Sequence, residues 1–189
     1  MKKIILMITL ILCQLVNSQM RTLEVQFKDK TIVKASGKIS GEFLKYKLPN
    51  SKKEKVHFSE ILSVTIYFDE DKKTIYKYFP IKNTKKSKVF EEIIFGDVSL
   101  YMTTAKGYNN PGGAGMNRIE YIIQNYYVRR NEFNEVTHLG SNQIFTKDFR
   151  KVTSEYFKDC AILVEKINDK HFGKREIEEI VTFYNENCN

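Results

Sequence analysis

Apolar and polar residues alternate along most of the first two-thirds of the chain. Leu23, Val25 and Phe27 occupy every second position, and Leu44, Tyr46 and Leu48 repeat the pattern after Phe43. A period of two places alternate side chains on opposite faces of a strand. Further extended segments are predicted at 31–39, 56–58, 61–68 and 74–81, then at 89–95, 98–102, 119–128 and 135–139. Turn chemistry separates them: Lys28-Asp29-Lys30, Pro49-Asn50-Ser51, the charged tip at 69–73 and Gly96-Asp97. Gly37 and Gly41 mark a bend or bulge. The polar, basic stretch 82–88 contains no large apolar residue and is the best candidate boundary between two β groups.

Near residue 148 the period changes. Phe149, Val152, Tyr156, Cys160, Leu163 and Ile167 recur every three or four residues, which predicts one amphipathic helix over 148–168, with Thr146 as its cap. Ile177, Ile180, Val181 and Tyr184 predict a second helix over 175–184. Cys188 extends its face by one step, and the loop 168–173 is short enough for an antiparallel pair. Strands first and helices last give an α+β class, not alternating βαβ. The expected architecture is an antiparallel β-rich front, as a small curled sheet or Sm-like or SH3-like barrel plus a second β group, followed by an antiparallel helix pair.

The first residues read differently. Lys2 and Lys3 precede an apolar run from Ile4 to Cys13, interrupted only by Thr9, and a short tail ends at Ser18. A basic start, a short apolar middle and modest side chains before a cut predict an export signal cleaved between Ser18 and Gln19. The run falls short of the roughly 20 apolar residues that span a bilayer. Anchoring as a lipoprotein through Cys13 is disfavoured by bulky Leu12. The expected segments are then a signal peptide at 1–18, β groups at 19–81 and 89–139, and a helical pair at 146–189. The protein is expected outside the cytoplasm, periplasmic or secreted, with no transmembrane segment in its mature chain.

Cleavage leaves two of the three cysteines, Cys160 and Cys188. In an oxidising compartment a lone pair is expected as a disulfide. Two straight antiparallel helices would not align them: Cys160 would lie about 12 Å from the loop and Cys188 about 20 Å. Either the loop runs back along the first helix or the chain leaves helical geometry near Asn185.

Charge adds one feature. Without Lys2 and Lys3, 29 basic residues face 23 acidic ones, a net charge of +6. Lys45, Lys47, Lys52, Lys53 and Lys55 surround one turn; Lys82, Lys85, Lys86 and Lys88 form a second run. Lys52, Lys53 and Lys55 are the candidate contacts for an anionic partner, with plain solubility as the alternative. No aromatic residue interleaves with them in the sequence, which argues against a nucleic-acid groove.

Motifs for chemistry are sparse. The glycine-rich segment 109–115 lacks the Gly-Lys-Ser/Thr of a nucleotide loop and reads as a hairpin tip. His57, His138 and His171 are scattered, without metal-ligand spacing, so no metal or cofactor is expected. Neither a nucleophile elbow nor a separable carboxylate pair stands out. Tyr126 and Tyr127 are adjacent, so one must point away from the core, and beside Arg129 and Arg130 it would make a recognition spot unless a second layer packs on it.

Three short motifs carry a resemblance: Gly96-Asp97-Val98-Ser99-Leu100-Tyr101, Tyr156-Phe157-Lys158-Asp159-Cys160 and Tyr184-Asn185-Glu186-Asn187-Cys188. The chain resembles a loose family of exported proteins from Bacteroidetes, flavobacteria especially, though Lys28-Asp29-Lys30 replaces the usual glycine-aspartate at the first hairpin. That resemblance implies a cell-envelope setting and no assigned activity. The expectation is therefore an exported, non-catalytic binding or scaffolding domain, whose partner is an anionic envelope component or another envelope protein. The alternative is a small secreted hydrolase with an active site built from loops.

Overall fold

The computed structural model describes residues 20–69, 71–109, 119–143 and 148–188. The cleavage position Ser18–Gln19, most of the glycine-rich segment and Thr146 lie outside the described residues. Ten strands form one antiparallel sheet: β1 (Arg21–Phe27), β2 (Ile32–Ser40), β3 (Phe43–Lys47), β4 (Lys53–His57), β5 (Ile61–Tyr67), β6 (Lys73–Pro80), β7 (Ser87–Ile94), β8 (Val98–Asn109), β9 (Ile119–Arg130) and β10 (Thr137–Ser141). Their order is β10-β9-β8-β7-β6-β5-β1-β2-β3-β4, so the sheet is open at β4 and β10. The α+β class stands. The basic stretch 82–88 turns the chain between β6 and β7, which pair from Ile75↔Glu92 to Pro80↔Ser87. The sheet thus runs through it unbroken.

The first half of the sheet buries one face, and the second half buries both. In β1 to β5, Leu23, Val25, Ala35, Leu44, Tyr46, Val64 and Ile66 close around Phe58 of a single 3-10 turn (Phe58–Glu60). Gly37 permits the tight curl, because a Cβ there would sit 2.5 Å from the Lys45 carbonyl oxygen. In β6 to β10, Phe79, Phe90, Tyr101 and Tyr127 pack on the other face with Ile81 and Val136. An isolated bridge, Ile81↔Val136, draws the end of β6 toward the start of β10. The Val136 N–H donates to the Pro80 carbonyl and the Lys82 N–H to the Val136 carbonyl, both at 2.9 Å.

The outer face of the second half carries Val98, Leu100, Val128 and Leu139, and helices cover it. Here the sequence expectation needs correction. The predicted helix 148–168 is two helices, α1 (Phe149–Tyr156) and α2 (Ala161–Asn168), and the predicted pair is a trio completed by α3 (Ile177–Asn187). The break at 157–160 preserves the apolar stripe while changing its direction. Phe157 becomes fully buried, Cys160 takes the position before α2, and Asp159 turns outward to meet β9. This also resolves the length problem, since Cys160 is no longer in mid-helix. Its Cα lies 5.5 Å from that of Cys188, just beyond α3, so the pair is disulfide-capable. No described helix is long and apolar enough to cross a membrane.

The three short motifs meet in one knot. The Asn185 side chain accepts from the Val98 N–H and donates to the Val98 carbonyl, each at 2.9 Å. Arg130 makes a two-pronged ion pair with Asp159 at 2.9 and 2.8 Å and donates to the Tyr184 hydroxyl at 2.7 Å. Tyr184 in turn donates to Asp159 at 2.6 Å. The Arg130 bonds hold the Asp159 carboxyl below its usual range. The knot ties the helix break and α3 to the sheet.

Candidate functional site

In the first half of the sheet no helix covers the outer face, and lysines occupy it. Ser36↔Lys47↔Lys53 and Lys38↔Lys45↔Lys55 are cross-strand rows on β2, β3 and β4. Residues directly opposite share a face, and the next row of that face lies two residues along. Lys34, Lys38, Lys45, Lys47, Lys53 and Lys55 are therefore on one face, and all are exposed. Opposite side chains in such rows stand about 5 Å apart at Cβ, and rows repeat about every 7 Å. Among the described residues, Lys34, Lys45, Lys47, Lys53 and Lys55 form no ion pair. Glu54 cannot neutralise them, since it faces the other side and accepts from the Tyr46 hydroxyl at 2.7 Å. Burial and that bond push the Tyr46 phenol up to about 12.

The three predicted contacts are only partly brought together. Lys53 and Lys55 sit on β4 in line with Lys47 and Lys45, whereas Lys52 lies in the preceding connection. Lys34 and Lys38 were missed because they are distant in sequence; the alternation of β2 with its charged positions was the signal for them. The sequence expectation that nothing aromatic interleaves also needs correction. The Lys55 ammonium sits 3.7 Å over the Phe43 ring. Phe43 packs edge-on against His57, and His57 against Tyr78, at 5.1 and 5.4 Å. The lysine rows thus end on an aromatic step.

The same step contains a polar chain. His57 Nδ1 lies 2.8 Å from Ser59 Oγ, and Nε2 lies 3.3 Å from Glu42. Tyr78 donates to the same Glu42 oxygen at 3.3 Å. The Ser59 N–H also donates to Nδ1 at 3.1 Å, so the ring caps the 3-10 turn as well as meeting the hydroxyl.

The other sequence candidates are accounted for by packing. Tyr127 is buried in the aromatic cluster and Tyr126 lies against the helix-covered core, so neither is an outward recognition spot. Arg130 belongs to the knot. His138 packs on the Tyr127 ring at 4.9 Å and His171 lies in the turn between α2 and α3. Among the described residues, no group of three or more His, Cys, Asp or Glu gathers to hold a metal.

No protein-family model matches this chain, and no curated protein or solved structure matches it.

Proposed function

We propose that the protein is an exported binding domain whose lysine face holds an anionic component of the cell envelope. The supporting observation is the lysine array on β2, β3 and β4, in which Lys45, Lys47, Lys53 and Lys55 stand in cross-strand rows and form no ion pair among the described residues, while Glu24 of β1 lies opposite Lys34. Like charges directly opposite one another in a sheet are destabilising. Solubility needs no such alignment; scattered lysines would serve it equally. A lattice of exposed ammonium groups suits a repeating anion, and Phe43, His57 and Tyr78 at its end offer rings to stack on. The leader supplies the compartment in which such a partner is met.

Heparin-column retention of the mature chain tests the reading. Neutralising Lys52, Lys53 and Lys55 to Gln should shorten retention. Adding Lys45→Gln and Lys47→Gln should nearly abolish it and flatten its salt dependence. Retention unchanged in the five-fold variant would sink the proposal.

The polar chain Ser59–His57–Glu42 favours one second reading, a hydrolase in which His57 takes a proton from Ser59. Hydrolysis of p-nitrophenyl acetate that disappears in Ser59→Ala would support it. The Ser59 N–H bond to the same ring nitrogen supports the cap instead.

A further inference from the structure

The halves of the sheet meet at a cleft of about 470 Å³, on the face opposite the aromatic cluster. Its floor follows from register: Tyr76 lies opposite Glu91, and Glu91 opposite Met102, so the three side chains stand in a row across β6, β7 and β8. Arg21 of β1 and Phe68 just beyond β5 form one wall, and the turn of β2 near Ile39 forms the other. Pockets of this size commonly hold small organic molecules.

Three charged residues line the cleft, Arg21, Lys38 and Glu91, and Arg21 and Glu91 do not pair with each other. The Arg21 guanidinium lies 4.1 Å over the Phe68 ring, which fixes it at the rim. It forms no ion pair among the described residues. Glu91 is half-buried and has no hydrogen-bond or ion-pair partner among the described residues, and burial raises its carboxyl above the usual range. The Tyr76 phenol, opposite Glu91 in register, feels both. Burial raises it most, Glu91 raises it further and Arg21 lowers it, so both charges act on the same hydroxyl. Leaving a carboxylate half out of water without a partner costs stability.

A ligand carrying both an ammonium and a carboxylate would satisfy both ends. Its ammonium would meet Glu91 and Tyr76, its carboxylate would meet Arg21, and its hydrocarbon would lie against Ile39, Phe68 and Met102. We propose that this cleft binds an α-amino acid with an apolar side chain. The site adjoins the lysine face at Lys38 but rests on Arg21, Tyr76 and Glu91, and does not depend on the reading of that face.

Amide NMR of the oxidised mature chain, titrated with L-phenylalanine, phenylacetate and phenethylamine, tests this. L-Phenylalanine should give saturable shifts confined to β1, β6, β7, the Met102 region of β8, Phe68 and the turn of β2, with millimolar affinity. The two analogues each lack one charge and should bind about tenfold more weakly or worse. Glu91→Gln and Arg21→Gln should each weaken L-phenylalanine by a similar factor with the rest of the spectrum preserved. Equal binding of all three compounds would overturn the proposal, as would binding unaffected by either substitution. Absence of saturable shifts with L-phenylalanine, L-leucine and L-methionine would overturn it too.

Discussion

The two halves of this sheet use the same meander to different ends. From β1 to β5 the strands curl around Phe58, and their outer face is left to water and to lysine. From β6 to β10 both faces are buried: one around Phe90 and Tyr101, the other, continuous with the first half's core, under three helices. The covered half spends its polar residues on attachment: Arg130, Asp159, Tyr184 and Asn185 all bond within the molecule. In the uncovered half, Lys34, Lys45, Lys47, Lys53 and Lys55 form no ion pair among the described residues. Polar groups satisfied internally hold a fold together, whereas aligned like charges cost stability and call for something outside the chain. On the proposed reading, the covered half supplies stability and the uncovered half recognition.

The largest expected effect comes from loosening the cover. The Cys160→Ser/Cys188→Ser variant should lose about 2–4 kcal/mol, as expected for opening a loop of 28 residues. The loss should fall on the covered half. α3 is only 11 residues long, and helices that short are marginal without packing. Amide exchange should quicken from Ile177 to Asn187 far more than in β1 to β5. Equal quickening in both halves would show that they melt together and would break the comparison. Thiol labelling of the native protein checks the premise: both cysteines should be unreactive.

How much of this was legible in the sequence depends on the range of the interaction. The strands were readable because alternation is local, and the α+β class followed from their order. The helix break was not. Phe149, Val152, Tyr156, Cys160, Leu163 and Ile167 keep a helical period straight through it, and only Asp159 reaching Arg130, 29 residues away, shows why the chain turns there. Likewise β8 was expected to end near Met102, yet it runs to Asn109, paired with β9 as far as Asn109↔Ile119. The lysines near 45–55 were visible as a cluster, but their alignment with Lys34 and Lys38 needed the register of β2 on β3. The cleft was invisible, since Arg21, Tyr76 and Glu91 come together only through the fold.

A smaller effect is expected where the halves meet. Burial raises the Glu91 carboxyl, so the folded state holds its proton more tightly than the unfolded chain does. Stability from this group is therefore fully present below the unfolded value near 4.5 and declines as pH rises through the folded value. Glu91→Gln, which stays uncharged, should be more stable than the parent at pH 7. The gain should vanish in acid, once the parent carboxyl is also neutral. Thermal melts across that range read it directly. A variant equally stable at both ends would mean that Glu91 bears no penalty, and that the meeting of the halves is as well satisfied as the knot.

The smallest effect sharpens the comparison most. Lys45 has Lys38 on one side and Lys55 on the other, in the middle of the lysine face. Removing the central charge relieves repulsion in both directions. Thr suits an exposed strand position, so Lys45→Thr should stabilise the protein by a few tenths of a kcal/mol at low salt. The gain should shrink as salt screens the row. The same substitution should shorten retention on heparin. A change that raises stability while lowering binding is expected where charges are kept for a partner, and not where they only maintain solubility. As a counterpart in the covered half, Arg130→Gln should do the reverse: it should lower stability by leaving Asp159 and Tyr184 short of a donor, and should leave heparin retention unchanged. If Lys45→Thr destabilised the protein, the row would be supporting the first half and the division of labour between the halves would fail.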